Sequence, residues 1–268
     1  MVADVAGTDS DVLGSHLEGP FLDPGHRGAH DAALLRAPAA DDVQRLLDAG
    51  RGTVRQVTLA PELPGGMAAV GRIVAAGAVA AIGHTGADAA TARAAFDAGA
   101  TILTHAFNAM EPLGHRSPGP VGAATSDPRV TLEAIADGVH LAPEVVRLLF
   151  GAAPDRVALI TDAMAAAGAR DGRYRLGGLD VDVVDGTARV AGEGAIAGST
   201  LTQDRALRSA VACGVGLAEA VHALTAAPAR AIGRGHDLGR LEAGFLADAV
   251  LLTADLRVRQ VWSAGVSL

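Results

Sequence analysis

The chain has 268 residues, with 22 arginines, no lysine and 30 acidic residues, which gives a formal net charge of -8. This charge argues against nucleic acid as a partner, because nucleic-acid binding depends on a basic surface. Half of the residues are hydrophobic and 19% are charged, which excludes a disordered chain and suits one or two globular domains of roughly 150 residues each.

The location of the protein follows from three further features. The sequence has no apolar run approaching the roughly 18 residues of a membrane span. Its first residues include Asp4, Asp9 and Asp11 rather than a basic segment before an apolar run, so we expect no secretory signal. Cys213 is the single cysteine, which excludes an internal disulfide. We therefore expect a cytoplasmic protein with no membrane partner.

Short apolar runs alternate with helical patterns from residue 12 to residue 168, which predicts βαβ units and a parallel sheet. The six strands of this sheet are expected at residues 12–17, 54–60, 79–83, 101–104, 130–136 and 157–161. Helices are expected at 41–49, 67–76, 88–98 and 143–150. Gly50, Gly77 and Gly99 are predicted to close the first three helices in the left-handed conformation.

The pattern becomes antiparallel after residue 168. Strands are predicted at 174–179 and 180–185, and Asp185-Gly186 has the composition of a hairpin turn. Helices at 203–213 and 217–227 follow, and the chain ends with predicted strands at 249–252 and 258–262.

An ionisable residue follows each of the six predicted parallel strands. These residues are Glu18, Glu62, His84, His105, the pair Asp137 and His140, and Asp162. A single residue of this kind is more often a salt-bridge partner or a cap, but the carboxyl ends of barrel strands converge on one cleft, so the succession favours an active site.

Three of these residues form a set of metal ligands. Glu18, His84 and His105 combine a carboxylate with two imidazoles, which suits zinc or another divalent transition metal and leaves a coordination position open for water. Asp162 would then accept a proton from water and pass it to a leaving amine. The alternative interpretation of Asp162 is a helix N-cap for the turn after the strand. Basic loops at 25–30 and 114–119 could hold an anion, although Arg27 also fits a solvated surface position.

Six segments together resemble one known family. They are HLEGPFL at 16–22, GHT at 83–85, THAFNAM at 104–110, DGVH at 137–140, TDA at 161–163 and GSTLT at 198–202. In this order they resemble the N-acetylglucosamine-6-phosphate deacetylases of the amidohydrolase superfamily, and the resemblance extends from about residue 13 to the C-terminus. It implies an α/β fold, the metal-dependent hydrolase (β/α) barrel, here with about six of its eight strands.

The resemblance also implies a domain division. Residues 1–235 would form the incomplete barrel, with a β insertion near 170–196, and residues 236–268 would supply strands of a small β-sandwich domain. Because two barrel strands lack counterparts, we expect exposed strand edges and a chain that is poorly soluble or inactive alone.

The family's site residues map onto this sequence one by one. Glu18, His84 and His105 would bind one divalent metal, zinc in the first instance with iron, cobalt or manganese as alternatives, and Asp162 and His140 would be catalytic. The residues expected to line the sugar phosphate site are Ala29, His30, Asn108, Ala109, Arg116, Asp137, Gly138, Val139, His140, Ile196, Ala197 and Gly198. The family's counterpart of Arg116 serves a neighbouring subunit, which implies a homodimer. None of the nine histidines are two residues apart, so the ligands of a second metal are missing.

The expected reaction is hydrolysis of N-acetylglucosamine 6-phosphate to glucosamine 6-phosphate and acetate by a metal-activated water. The expected partner is thus a small amino sugar phosphate. Two alternatives stay open at this point: an amidohydrolase acting on another amide or ring substrate, and an inactive truncated barrel fragment.

Overall fold

A computed structural model describes residues 2–9 and 11–268 of the chain. The chain divides into two compact units, residues 1–132 and 133–268. The parallel strands are β1 Ser15–Glu18, β2 Val54–Leu59, β3 Val79–Ile82, β4 Ile102–Leu103, β5 Thr131–Ala134 and β6 Val157–Leu159. Their order in the sheet, β1-β2-β3-β4-β5-β6, follows the chain. The six-stranded parallel part of the predicted barrel is therefore confirmed.

The first unit consists of successive βα units. Its helices are α1 Val2–Val5, α2 Ala40–Ala49, α3 Gly66–Ala75, α4 Ala89–Asp97 and α5 Gly119–Thr125. In-register pairs such as Leu59 with Ile82 join its strands, and both side chains are fully buried. Strands that are buried on both faces are nearly continuous apolar runs, which is the pattern that predicted them.

Several strands end earlier than predicted. β3 and β4 end at Ile82 and Leu103, and the histidines two residues beyond them have left-handed backbones, with φ of 48° at His84 and 29° at His105. A residue with positive φ turns the chain out of the sheet ladder, so the strands cannot extend as far as the apolar pattern does.

The prediction for the end of α2 is wrong at Gly50. This glycine has a right-handed backbone with φ of -73°, and the left-handed residues are Arg51 and Gly52 after it. A Cβ atom at Gly50 would lie 2.3 Å from Cγ2 of Val54. Close packing against Val54, and not a positive φ angle, is therefore what requires glycine at this position. Gly77 and Gly99 have the predicted positive φ.

The second unit contains the remaining elements. Its helices are α6 Pro143–Ala152, α7 Gln203–Ala212, α8 Leu217–Leu224 and α9 Ala226–Ala231, and its antiparallel strands are β7 Gly172–Leu176, β8 Leu179–Val184, β9 Thr187–Val190, β10 Ala249–Leu252, β11 Val258–Ser263 and β12 Val266–Ser267. These strands form two three-stranded sheets, β7-β8-β9 and β10-β11-β12. The hairpin turn at Asp185 and Gly186 is confirmed, with both residues at positive φ.

One helical prediction is wrong, and helices α1 and α5 were not predicted. The single helix expected at 217–227 is broken at Thr225, because Pro228 lacks an N–H and its ring would crowd the carbonyl of Leu224 four residues earlier. Helix α5 was not predicted, since its sequence contains two glycines and a proline. Of the helices in the described part of the chain, none is long and apolar enough to span a membrane. The domain boundary near residue 235 stays a prediction.

Candidate metal centre and active site

The three predicted metal ligands lie together at the ends of their strands. Glu18 is the last residue of β1, and His84 and His105 each follow their strand by two residues. Nε2 of His105 lies 3.1 Å from Oε1 of Glu18 and 3.0 Å from Nε2 of His84. The third side of this triangle, from Nε2 of His84 to Oε1 of Glu18, is 3.3 Å. Among the described residues these three form the one cluster with metal-ligand geometry.

The donor triangle fits a divalent transition metal. Ligand bonds of about 2.0–2.1 Å in a tetrahedral site place neighbouring donors roughly 3.3–3.4 Å apart, close to the separations of 3.0 to 3.3 Å seen here. Two imidazole nitrogens at 3.0 Å can share at most one proton, and a cation would satisfy both lone pairs and the carboxylate. The site therefore fits one metal ion held by mixed nitrogen and oxygen ligands.

The loop before Ala29 orients the imidazole of His84. Nδ1 of His84 lies 2.8 Å from the carbonyl oxygen of His26, so we assign the ring proton to Nδ1, which leaves the lone pair of Nε2 for the metal. Gly28 has φ of 55°, and a Cβ atom there would lie 3.1 Å from Cε1 of His84. Glycine thus permits the close approach that holds the ring in place.

Charges at the centre favour an ionised carboxylate. In the metal-free protein, burial by itself would raise the pKa of Glu18, but hydrogen bonds donated by His105 and His84, and the positive charge of these rings when both nitrogens are protonated, hold this pKa well below its ordinary value. Burial lowers the pKa of His30, and repulsion from His84 lowers it further. The neutral form of His30 is therefore favoured beside an anionic Glu18.

The basic loop at 25–30 lies against the predicted metal ligands. Nδ1 of His26 binds Oδ2 of Asp23 at 2.6 Å, and Nη1 of Arg27 donates to the carbonyl oxygen of His30 at 3.0 Å. Nε2 of His30 lies 3.5 Å from Oε2 of Glu18. His30 is thus adjacent to the metal centre, and its predicted contact with the substrate, like that of Ala29, stays a prediction.

Other predicted substrate residues of the first unit lie in the segment between β4 and α5. Nδ2 of Asn108 donates to the carbonyl oxygens of His105 and Ala106, each at 3.2 Å, and Ala109 is left-handed with φ of 48°. Arg116 is exposed in the loop before α5, where a side chain is accessible to an anion.

In the second unit, Asp137 organises the loop that contains Gly138, Val139 and His140. Its Oδ1 accepts the backbone N–H groups of Val139 and His140, both at 2.8 Å, and its Oδ2 lies 2.8 Å from Nδ1 of His140. Burial opposes ionisation, but these hydrogen bonds lower the pKa of Asp137 overall. An ionised Asp137 therefore fixes the ring of His140 and orients its Nε2.

Asp162 follows β6 in the same left-handed conformation as the two histidines, with φ of 48°. Its carbonyl oxygen accepts the N–H of Ser199 at 2.7 Å. The segment 163–202 contains no helix, so the alternative of a helix cap is wrong. The loop of Ile196, Ala197 and Gly198 is held by the N–H of Ala197, which donates to the carbonyl oxygen of Ala188 at 3.1 Å.

Sequence reasoning missed two groups that support the candidate metal centre. The carbonyl of His26 orients His84, and no side-chain pattern signals a backbone acceptor. Glu62 was included among the strand-end residues without a role, and its carboxylate binds the residues after His84.

Comparison with known proteins identifies the same family. The sequence profile described as "Amidohydrolase family" matches residues 7–268. The chain is 43% identical over 97% of its length to an N-acetylgalactosamine-6-phosphate deacetylase of Escherichia coli O157:H7, and covers 69% of that protein. It is 40% identical over 95% of its length to an N-acetylglucosamine-6-phosphate deacetylase of Bos taurus, and covers 64% of it.

Solved structures agree with these relatives. An N-acetyl-D-glucosamine-6-phosphate deacetylase from Mycobacterium smegmatis is 49% identical, with a TM-score of 0.94 over 100% of this chain and 72% of that chain. A D-to-A mutant of the M. smegmatis enzyme was solved in complex with N-acetyl-D-glucosamine-6-phosphate. The Thermotoga maritima deacetylase has a TM-score of 0.88 at 33% identity, over 95% of this chain and 69% of that chain. The relatives described above are amino-sugar-phosphate deacetylases. The resemblance seen in the sequence motifs is confirmed, and the chain belongs to the amidohydrolase family.

Proposed function

We propose that the protein hydrolyses N-acetylglucosamine 6-phosphate to glucosamine 6-phosphate and acetate. The observation that carries this proposal is the donor triangle of Glu18, His84 and His105, with sides of 3.0 to 3.3 Å. The named activities of the relatives support the substrate class. The chain spans 64% to 69% of the length of the first curated relatives, so the activity of the whole protein is a proposal.

We propose that Glu18, His84 and His105 hold one divalent metal ion, with zinc as the first candidate and iron, cobalt or manganese as alternatives. An imidazole and carboxylate set suits all four metals. When bound, such an ion lowers the pKa of water and polarises a carbonyl group. The side chains of His84 and His105 are buried, and the low dielectric constant around buried groups strengthens electrostatic interactions with the substrate.

Asp162 is assigned the proton transfers. Its carboxylate takes a proton as the oxygen of water bonds to the acetyl carbon, and it returns that proton to the sugar nitrogen as the carbon–nitrogen bond breaks. This assignment is supported by its left-handed position at a strand end, which it shares with His84 and His105. His140, held by Asp137, donates through Nε2 to the carbonyl oxygen as negative charge develops there.

The remaining site residues are assigned to substrate binding. They are Ala29, His30, Asn108, Ala109, Arg116, Asp137, Gly138, Val139, Ile196, Ala197 and Gly198. By family resemblance Arg116 would serve the site of a neighbouring subunit, so we also propose a homodimer.

The buried thiol of Cys213 is compatible with a reducing cytoplasm, which we propose as the location.

A second candidate substrate is N-acetylgalactosamine 6-phosphate. It is favoured by the E. coli relative, whose name specifies this sugar and which is 43% identical. The two sugars differ in the orientation of one hydroxyl group, so the same metal centre and proton transfers would serve both.

Acetate release by this chain from three sugars tests the proposed function against the sequence-based expectation that the chain is poorly soluble or inactive alone. We expect metal-loaded protein to hydrolyse N-acetylglucosamine 6-phosphate faster than N-acetylgalactosamine 6-phosphate, and both much faster than unphosphorylated N-acetylglucosamine. Preference for the galacto sugar would support the second candidate. Equal rates with and without phosphate would contradict an amino sugar phosphate substrate.

Replacing Arg116 by alanine is expected to reduce kcat/KM for the phosphorylated sugar by about 10- to 100-fold, because hydrogen bonds to charged groups contribute roughly 1.5–3 kcal/mol. Unphosphorylated N-acetylglucosamine should be affected little. Arg93→Ala, which removes an exposed arginine from α4, is the matched control. An equal loss for both sugars would mean that Arg116 supports the fold instead of binding phosphate.

A further inference from the structure

Glu62 follows β2 and has no part in the chemistry proposed above, although it is half-buried. Both of its carboxylate oxygens bind the segment directly after His84. Oε2 accepts the hydroxyl proton of Thr85 at 2.5 Å, and Oε1 accepts the backbone N–H of Gly86 at 2.6 Å. One carboxylate therefore joins the turn after β2 to the segment after β3.

Thr85 is held at each of its other polar atoms as well. Its N–H donates to the carbonyl oxygen of Ala109 at 3.1 Å, and its own carbonyl accepts the N–H of Glu111 at 3.2 Å. Its hydroxyl oxygen accepts the N–H of Ala87 at 3.0 Å, and the residue is fully buried. Thr85 is thus held firmly in place, and Glu62 supplies its side-chain contact with the turn that follows β2.

His84 directly precedes Thr85, and its backbone conformation depends on this anchoring. His84 is left-handed with φ of 48°, a conformation that persists in a residue with a bulky side chain only when the surroundings impose it. On the N-terminal side of His84, strand β3 is paired in the sheet. The carbonyl oxygen of His84 accepts the N–H of Asp23 at 2.9 Å. On its C-terminal side the constraint comes from Thr85 and Gly86, which Glu62 binds.

We propose that Glu62 is a positioning residue, whose carboxylate fixes the backbone after His84 so that Nε2 of His84 stays in the donor triangle. This inference rests on the metal centre of the proposed function. Partners outside the ligand set commonly govern metal affinity, and their loss typically costs about 10- to 100-fold. A residue that only anchored a loop would affect thermal stability and leave the geometry of the metal unchanged.

Three substitutions separate these roles. Glu62→Ala removes both hydrogen bonds of the carboxylate. Thr85→Val removes the hydroxyl, and with it the hydrogen bonds to Glu62 and from Ala87, while keeping the buried shape. In Glu62→Gln the amide oxygen accepts from Gly86 and the amide nitrogen donates to the hydroxyl oxygen of Thr85, so both contacts survive without the charge. Glu144→Ala, an exposed residue in the first turn of α6, is the control.

Each metal-free variant is titrated with cobalt(II), and its dissociation constant is measured by chelator competition together with its visible absorption spectrum. We expect Glu62→Ala and Thr85→Val to weaken cobalt binding by about 10- to 100-fold and to alter the spectrum, while Glu62→Gln and Glu144→Ala resemble the wild type. If Glu62→Ala does not fold, the cobalt affinities and spectra of Thr85→Val and Glu62→Gln test the positioning role of Glu62.

Folded Glu62→Ala or Thr85→Val with wild-type affinity and spectrum would overturn the inference. A loss in Glu62→Gln as large as in Glu62→Ala would overturn its hydrogen-bonding basis. A wild-type protein that binds no cobalt would instead contradict the proposed metal centre, so the two failures are distinguishable.

Discussion

Replacing His105 by alanine is expected to remove the metal and the deacetylase activity together. The substitution takes away one corner of the donor triangle, in which Nε2 of His105 lies 3.1 Å from Glu18 and 3.0 Å from His84. A catalytic metal site commonly has three protein ligands, and the two that remain are too few to retain a divalent ion. Because a bound metal supplies several kcal/mol of transition-state stabilisation, we expect acetate release to fall by at least about 1000-fold.

Elemental analysis of the purified variant checks this prediction, with acetate release measured on the same sample. His236→Ala is the control, since His236 is largely exposed with a side-chain exposure of 73% and is not assigned to the site. We expect the control to retain its metal and its activity. Full metal content in His105→Ala would contradict the ligand assignment.

Replacing Asp162 by asparagine is expected to separate metal binding from turnover. The amide has nearly the same shape as the carboxylate, and asparagine tolerates the left-handed conformation that Asp162 adopts at φ of 48°. It cannot accept a proton from water, and loss of a general base typically costs about 100- to 10,000-fold in rate. The metal content should stay near that of the wild type.

Asp155→Asn provides a matched control for this experiment. Asp155 is also left-handed, with φ of 60°, and lies exposed in the second unit, so the same substitution is made at the same kind of backbone position. Its activity should equal that of the wild type. Wild-type turnover by Asp162→Asn at matched metal content would mean that another group transfers the proton.

The sequence allowed the parallel sheet and the ligand triangle to be predicted for one physical reason. Strands β2 to β6 are largely buried, so they read as apolar runs, whereas β1 is partly exposed. The first ionisable residue after each run marks the rim where side chains converge. The positions of Glu18, His84 and His105 at strand ends are therefore visible in the sequence. Their separations of 3.0 to 3.3 Å depend on the backbone between them.

The features that could not be predicted depend on tertiary contacts. The left-handed backbones of His84 and Asp162 shorten their strands, and histidine and aspartate carry no strong sequence signal for that conformation. Helix α5 forms from residues with low helix propensity because it is almost fully buried. The role of Glu62 depends on a hydrogen bond to Thr85, 23 positions away.

The break between α8 and α9 was predictable in principle. Pro228 stands in the printed sequence, and a proline inside a helical pattern commonly ends the helix several residues earlier. The error at Gly50 is of another kind, because the sequence does not distinguish a glycine that is needed for positive φ from one that is needed for close packing against Val54.

The central claim is that one metal ion, held by Glu18, His84 and His105, supports deacetylation. Its most direct test is a titration of metal-free protein with zinc(II), in which acetate release from N-acetylglucosamine 6-phosphate is measured at each addition. We predict that activity rises linearly and reaches its plateau at one equivalent of zinc per chain. A plateau at two equivalents, or no acetate release at any zinc concentration despite bound metal, would contradict the claim.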